Sequence, residues 1–153
     1  MKIIIISDSH GNHDNVEYVF NNHRFDYLFY LGDGITDLGN HINEPNVYYV
    51  KGNCDFFYRA EYELILTIEN KKFFITHGHN YGVKFTLNSL LKEAKKHKAD
   101  FVLFGHSHTS LVKTMDDIVF INPGAVSRVR GGNNTFAILT LENNDYNVQI
   151  INI

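Results

Sequence analysis

The run Ile3-Ile4-Ile5-Ile6, stopped by Ser7-Asp8, restricts the fold of this chain more than any other feature. A strand with one face in water alternates apolar and polar residues. Four β-branched residues in succession read instead as a strand covered on both faces, which demands a layer on each side of its sheet. The run is too short for the apolar region of a signal peptide or for a bilayer span. The same punctuation recurs. Residues 26–31 form a second apolar run ended by Gly32-Asp33-Gly34, and residues 47–50 a third ended by Lys51-Gly52-Asn53-Cys54-Asp55. Residues 72–76 end at His77-Gly78, and residues 101–104 at Gly105-His106.

Between these runs, residues 13–22 place Val16, Val19 and Phe20 on one helical face. Residues 85–98 place Leu87, Leu90, Leu91 and Ala94 at helical spacing, with Lys92, Lys95, Lys96 and Lys98 outward. Residues 63–69 and 72–76 alternate about Asn70-Lys71, which suggests a hairpin. From Leu111 the period is two, with a hairpin about Asp116-Asp117 and strands over 136–141 and 148–153 joined by Asn143-Asn144. The expected architecture is α/β (α+β): two packed sheets with helices outside, as one domain over residues 1–153. Lys and Arg number 14 against 17 Asp and Glu, a net charge of −3, so neither a nucleic-acid-binding surface nor an anionic-membrane binder is expected. Cys54 is the single cysteine and cannot close an internal disulfide; a cytoplasmic setting is the expectation.

Histidine is the anomaly, with nine in 153 residues. Five polar clusters each stand just past an apolar strand: Asp8-X-His10, Gly32-Asp33, Gly52-Asn53, His77-Gly78 and Gly105-His106-X-His108. In α/β sheets ligands bind at the carboxyl ends of strands. Two Asp, one Asn and four His form a nitrogen–oxygen donor set without thiolate, suited to Mn, Fe, Co, Ni or Zn. Seven donors exceed one transition ion but fit two that share a carboxylate, an arrangement that serves in-line displacement at phosphorus. Singly, each His beside a Gly reads as an ordinary loop residue, and a lone Gly-Asp as a turn; their conjunction points to a site. His13, His23, His41, His79 and His97 stay with the ordinary reading, His79 being near enough to support the site. Arg128 and Arg130 follow Asn122-Pro123-Gly124-Ala125 and are candidates to clamp a phosphate, or else surface charge beside Gly131-Gly132.

In this order the five clusters resemble the signature of the calcineurin-like metallophosphoesterase superfamily. A short chain with Asp8-Ser9-His10-Gly11-Asn12 near its start and Asn122-Pro123-Gly124 near its end is similar to the compact single-domain bacterial and archaeal phosphodiesterases of that superfamily. The resemblance covers nearly the whole chain and implies a two-sheet β-sandwich flanked by helices, with a dinuclear site at its edge. It implies that Asp8, His10, Asp33 and His108 bind one divalent ion, and that Asp33 (bridging), Asn53, His77 and His106 bind the other. Mn²⁺ is the foremost candidate, with Ni²⁺, Zn²⁺, Fe and Co as the others. The implied reaction is hydrolysis of small phosphodiesters by a water or hydroxide bridging the two ions. The alternatives are a phosphomonoesterase, or a non-catalytic protein-binding scaffold such as the subunit of this fold in the retromer coat. A scaffold has no need of all seven ligands, so their presence favours an enzyme. Metal storage would call for surplus ligands and thiols. Members typically carry His after the Gly-Asn, to contact substrate and protonate the leaving group. Here Cys54 stands in that place and Asp55 keeps the acidic residue that follows, so Asn53, Cys54 and Asp55 are the candidate catalytic positions. The second acidic residue after Gly-Asp is also displaced, Asp37 lying four beyond Asp33. The expected partner is a small phosphodiester substrate, with homo-oligomerisation left open.

Overall fold

In the computed structural model, which describes residues 1–127, 132–143 and 145–153, the isoleucine run forms β1 (Lys2–Ile6) and is buried on both faces. There follow α1 (His13–Asn22), β2 (Tyr27–Tyr30), a 3-10 segment (Ile35–Asn43), β3 (Val47–Tyr49), β4 (Glu63–Ile68) and β5 (Lys71–Thr76). A short 3-10 turn (His79–Tyr81) precedes α2 (Asn88–His97), β6 (Phe101–Leu103), β7 (Leu111–Met115), β8 (Ile118–Asn122), β9 (Thr135–Glu142) and β10 (Asp145–Asn152). The strands form two five-stranded sheets, ordered β10-β9-β1-β2-β3 and β4-β5-β6-β8-β7. Strands β1, β2 and β3 run parallel, as do β5, β6 and β8, while the hairpins add antiparallel edges.

The alternation of β1 explains the uninterrupted run. Ile3 and Ile5 point between the sheets, against Phe73, Ile75, Leu103 and Ile121. Ile4 and Ile6 point outward, where Val16 and Val19 of α1 and Leu38 cover them. On the far side Phe74, Val102, Phe104 and Phe120 receive Leu90 and Ala94 of α2. The order is helix, sheet, sheet, helix. Each β-branched residue of β1 is thus fully enclosed, and truncating one to alanine would cost about 2–5 kcal/mol.

Local turn chemistry moves several expected boundaries. The β4–β5 turn is Glu69-Asn70, both left-handed (φ 51° and 61°), one residue before the expected Asn70-Lys71; Lys71 already pairs with Ile68. Asp116-Asp117 forms its turn as expected (φ 49° and 62°). Helix α2 starts at Asn88 and not at Phe85, whose ring is almost wholly exposed. The last strand begins at Asp145, earlier than expected, because it pairs with β9 from Asp145↔Glu142 onward. Among the described residues no helix is long and apolar enough to cross a membrane.

Candidate metal centre

The two sheets deliver side chains to one place. Loops after β1, β2 and β3 bring Asp8, His10, Asp33 and Asn53; loops after β5 and β6 bring His77, His106 and His108. The loops are laced by backbone hydrogen bonds: Asp8 N–H to the Gly32 carbonyl and His10 N–H to the Asp33 carbonyl, both 3.0 Å, and Gly105 N–H to the His77 carbonyl at 3.0 Å. Asp8, His10, Asp33, His106 and His108 all hold left-handed backbone (φ 57°, 45°, 60°, 65° and 58°). For residues with a Cβ that conformation costs about 1–2 kcal/mol each and gathers at functional sites. Close approach adds a second constraint. A Cβ on Gly52 would lie 2.1 Å from Asp33 Oδ1, and one on Gly105 would lie 2.0 Å from Ser7 Oγ, so only glycine lets these loops meet.

The donors fall into two groups, Asp8–His10–His108 and Asp33–His77–His106, whose ligand atoms lie within 4.8 Å of one another in each. In the first, Asp8 Oδ1 is 3.0 Å from His108 Nε2 and 3.7 Å from His10 Nε2, and the two imidazole nitrogens are 3.2 Å apart. In the second, Asp33 Oδ2 is 3.3 Å from His77 Nε2, which is 3.2 Å from His106 Nδ1. Asp33 Oδ2 also lies 3.8 Å from His10 Nε2, so one oxygen faces both groups.

Each carboxylate has one oxygen tied down and the other presented. Asp8 Oδ2 accepts from Ser7 Oγ–H and, at 3.1 Å, from the His106 N–H. Asp33 Oδ1 accepts from the Cys54 N–H at 2.7 Å. His77 donates Nδ1–H to the Leu31 carbonyl at 2.7 Å, leaving the Nε2 lone pair toward the carboxylates. Burial alone would push the Asp8 carboxyl up, yet His10, His108, His77 and Ser7 hold it well below the usual range. Burial opposes ionisation of Asp33 too, and His77 with the Cys54 N–H brings it down to about 2. His106 is lowered to about 4 by burial and by the charge of His77. His10 is raised, chiefly by Asp8; His77 is raised despite its burial, by Asp33 and Asp8.

At this centre two buried oxygens, Asp8 Oδ1 and Asn53 Oδ1, have no hydrogen-bond partner. A buried acceptor left unpaired is costly, and divalent cations held among the four imidazoles and two carboxylates would satisfy them. The donor set fits metal ions. All seven residues expected as ligands therefore lie at one end of the sandwich, Asp8 and His77 fully buried and His10 and His108 about one-third exposed.

The neighbouring positions differ in what they touch. Cys54 is exposed, and burial of its thiol together with the charge of Asp33 pushes it up to about 11. Asp55 accepts four backbone N–H groups, from Asp33 (2.7 Å), Gly52, Gly34 and Ile35 (each 2.9 Å). His79 sits 5.4 Å from the His77 ring, with Nδ1 buried and unpartnered. Arg128 and Arg130 fall outside the described residues. A supporting network escaped the sequence reading: Ser9 Oγ–H donates to Asp37 Oδ2, which also accepts from the Gly11 N–H at 2.8 Å, and Tyr30 O–H meets Ser9 Oγ at 2.5 Å. In the sequence Asp37 stands out only as a displaced acidic residue, with nothing to link it to Ser9 or Tyr30.

Comparison with known proteins agrees with this geometry. The sequence profile of the calcineurin-like phosphoesterase superfamily domain matches residues 1–144. A probable metallophosphoesterase of Bacillus subtilis is 38% identical, over 94% of this chain and 86% of its own length. A phosphodiesterase of Methanocaldococcus jannaschii is 28% identical, over 95% and 96% respectively. The crystal structure of a conserved, predicted phosphoesterase from Streptococcus pneumoniae superposes with a TM-score of 0.85 at 29% identity, covering 99% of this chain and 88% of that one. With strand-end donors, a two-sheet sandwich and these relatives in agreement, the chain belongs to the calcineurin-like phosphoesterase superfamily, a family of metal-dependent hydrolases.

Proposed function

We propose that this protein is a phosphodiesterase that hydrolyses small phosphodiesters at a centre of two divalent ions. The observation that carries the reading is Asp33, whose Oδ2 faces both donor groups while Oδ1 is fixed by the Cys54 N–H. Asp8, His10, Asp33 and His108 would hold one ion, and Asp33, Asn53, His77 and His106 the other. Such a pair, when bound, supplies Lewis acidity toward phosphoryl oxygens and makes water a competent nucleophile near neutral pH. The chain's own part is to keep the donors oriented. Ser7 and the His106 N–H orient Asp8, the Leu31 carbonyl sets the His77 tautomer, and Asp55 clamps the two loops that carry Asp33 and Asn53. His10 and His108 form the open side, from which substrate approaches. The donor set suits Mn²⁺, and the exposed free thiol of Cys54 suits a reducing cytoplasm. A scaffold role would leave two convergent donor groups without a purpose.

Diesters are favoured over monoesters by charge. Two depressions flank His10, one toward Asn12 and Ser127 and one toward Cys54 and Tyr58, and among the described residues no Lys or Arg lines either. Among the described residues a second phosphate charge finds no cationic Lys or Arg partner there. The test is a comparison of bis(p-nitrophenyl) phosphate with p-nitrophenyl phosphate on metal-stripped protein restored with Mn²⁺, Ni²⁺, Zn²⁺ or Mg²⁺. A higher kcat/KM for the diester is expected. A preference for the monoester would overturn the reading and bring Arg128 and Arg130 forward as the second charge partner.

A further inference from the structure

Beside the metal centre two phenyl rings stand in water. Phe57 is fully exposed and Phe56 is three-quarters exposed, although the core of the same molecule buries rings of this kind completely. Large exposed apolar side chains beside a cavity mark a contact surface. Both rings belong to a tight turn closed by the Tyr58 N–H to the Asp55 carbonyl at 3.1 Å. The turn is held at both ends. The Asp55 carboxylate takes four backbone N–H groups of the Asp33 and Gly52 loops, and the Tyr58 ring packs edge-on against Tyr49, centroids 6.2 Å apart. The phenyls are therefore projected by a fixed piece of backbone, and little ordering entropy is lost when something packs on them.

What they flank is a depression of about 500 Å³. Its lining joins His10 and Asp33, shared with the metal centre, to Cys54 and to Phe56, Phe57 and Tyr58 of the turn. The chemistry changes along it, from charged donors to bare aromatic faces. A ligand matching this gradient has a phosphate at one end and an uncharged flat group at the other. Among the described residues no Lys or Arg lines the depression, which favours an uncharged group there over a second phosphate or carboxylate. From this we infer that the Phe56–Phe57 turn is a specificity subsite that takes a planar, uncharged ring esterified to the scissile phosphate, an aryl group or a nucleobase-bearing sugar. The inference rests on the phosphodiesterase reading and narrows its substrate class. Stacking of a ring on an aromatic wall gives a several-fold preference over a ligand lacking the ring.

The test uses binding and turnover together. Phenylphosphonate and methylphosphonate are titrated calorimetrically into the Mn²⁺-loaded protein, and p-nitrophenyl esters of methyl, phenyl and thymidine 5′-phosphates are compared as substrates with one common leaving group. Phenylphosphonate should bind about five- to tenfold more tightly than methylphosphonate. The phenyl and thymidine esters should show a KM lower by a similar factor than the methyl ester. In the double variant Phe56→Ala/Phe57→Ala both ratios should fall toward one; two exposed side chains can be removed without opening the core. Equal binding of the two phosphonates, with diester turnover intact, overturns the subsite and leaves the phosphodiesterase standing. A ratio that survives the double substitution overturns it as well, since the preference then arises elsewhere. A wild-type dimer converted to monomer by the double substitution, with the phosphonate ratio unmoved, assigns the rings to self-association instead. Absence of turnover of all three p-nitrophenyl diesters by the Mn²⁺-loaded protein overturns the phosphodiesterase reading and the subsite with it. Comparing the phenyl with the thymidine ester separates the two sources of a flat ring.

Discussion

At the scale of single residues, Asp33 and Cys54 make opposite predictions. Asp33 Oδ2 lies 3.3 Å from His77 Nε2 and 3.8 Å from His10 Nε2, one imidazole of each donor group. Asp8 Oδ1 approaches the second group less closely, at 3.9 Å from His77 Nε2. Asp33→Asn keeps the shape and removes the charge, and should lower metal occupancy and cut diesterase kcat by roughly 100-fold or more; metal analysis on the same sample checks that both fall together. Cys54 carries a thiol pushed up to about 11, by burial and by the neighbouring Asp33 charge, so it keeps its proton at neutral pH. A general acid works best with a pKa near the operating pH and contributes about 10²–10⁴-fold. Diesters with nitrophenolate leaving groups, which need no proton, should therefore be turned over efficiently and alkyl diesters slowly. Cys54→His should raise turnover of alkyl diesters more than of aryl ones, measured by phosphate or alcohol release. An equal loss on both would show that the thiol serves only as a small lining group.

At the scale of elements, the loops matter more than the strands that carry them. Asp55→Ala removes the acceptor of four backbone amides, and the expected loss is about 2–4 kcal/mol, a fall in Tm of roughly 4–16 °C. Asp55→Asn keeps one acceptor oxygen and should fall between. An Asp55→Ala variant with wild-type Tm and lost turnover would mean that the carboxylate meets substrate instead. These loops also show why the sequence was legible in some places and opaque in others. Strands β1, β2, β5 and β6 announce themselves because burial on both faces leaves apolar runs, and β3 shows a shorter, half-buried one. The donors stand at the ends of those runs. The Ile35–Asn43 segment was missed because a 3-10 turn broken at Gly39 has no helical period. The start of α2 was placed too early because Phe85 falls at helical spacing, although its ring stands in water. Which strands share a sheet is not written in their composition at all. Phe56 and Phe57 carried no periodic signal, and only the turn that holds them outward shows what they flank.

For the molecule as a whole, the centre ties stability to pH when metal is removed. His77 and His10 are raised in the folded protein, so the stability they contribute is complete below about pH 6.5 and is lost as the pH rises through their folded values. His106 is lowered to about 4 and Asp33 to about 2, so their contributions are present above about pH 6.5 and about pH 4 and disappear as the pH falls through the folded values. The stripped protein should melt highest near pH 6.5 and lose Tm on both sides. Added Mn²⁺ should raise the alkaline limb most, because two carboxylates then face cations in place of departing protons; thermal melts from pH 4 to 8.5 with chelator or Mn²⁺ check this. A Tm independent of Mn²⁺ at pH 8 would contradict the account. The strand order has a further consequence, for the chain as it leaves the ribosome. Strand β1 is made well before one of its two neighbours, β9, which lies at Thr135–Glu142. Until some 130 residues have followed, Ile3–Ile6 presents an open backbone edge, the kind of edge that recruits foreign strands. A nascent chain of this protein is thus a natural client for chaperones, and any form stopped after β8 should aggregate even though every candidate metal ligand has already been synthesised.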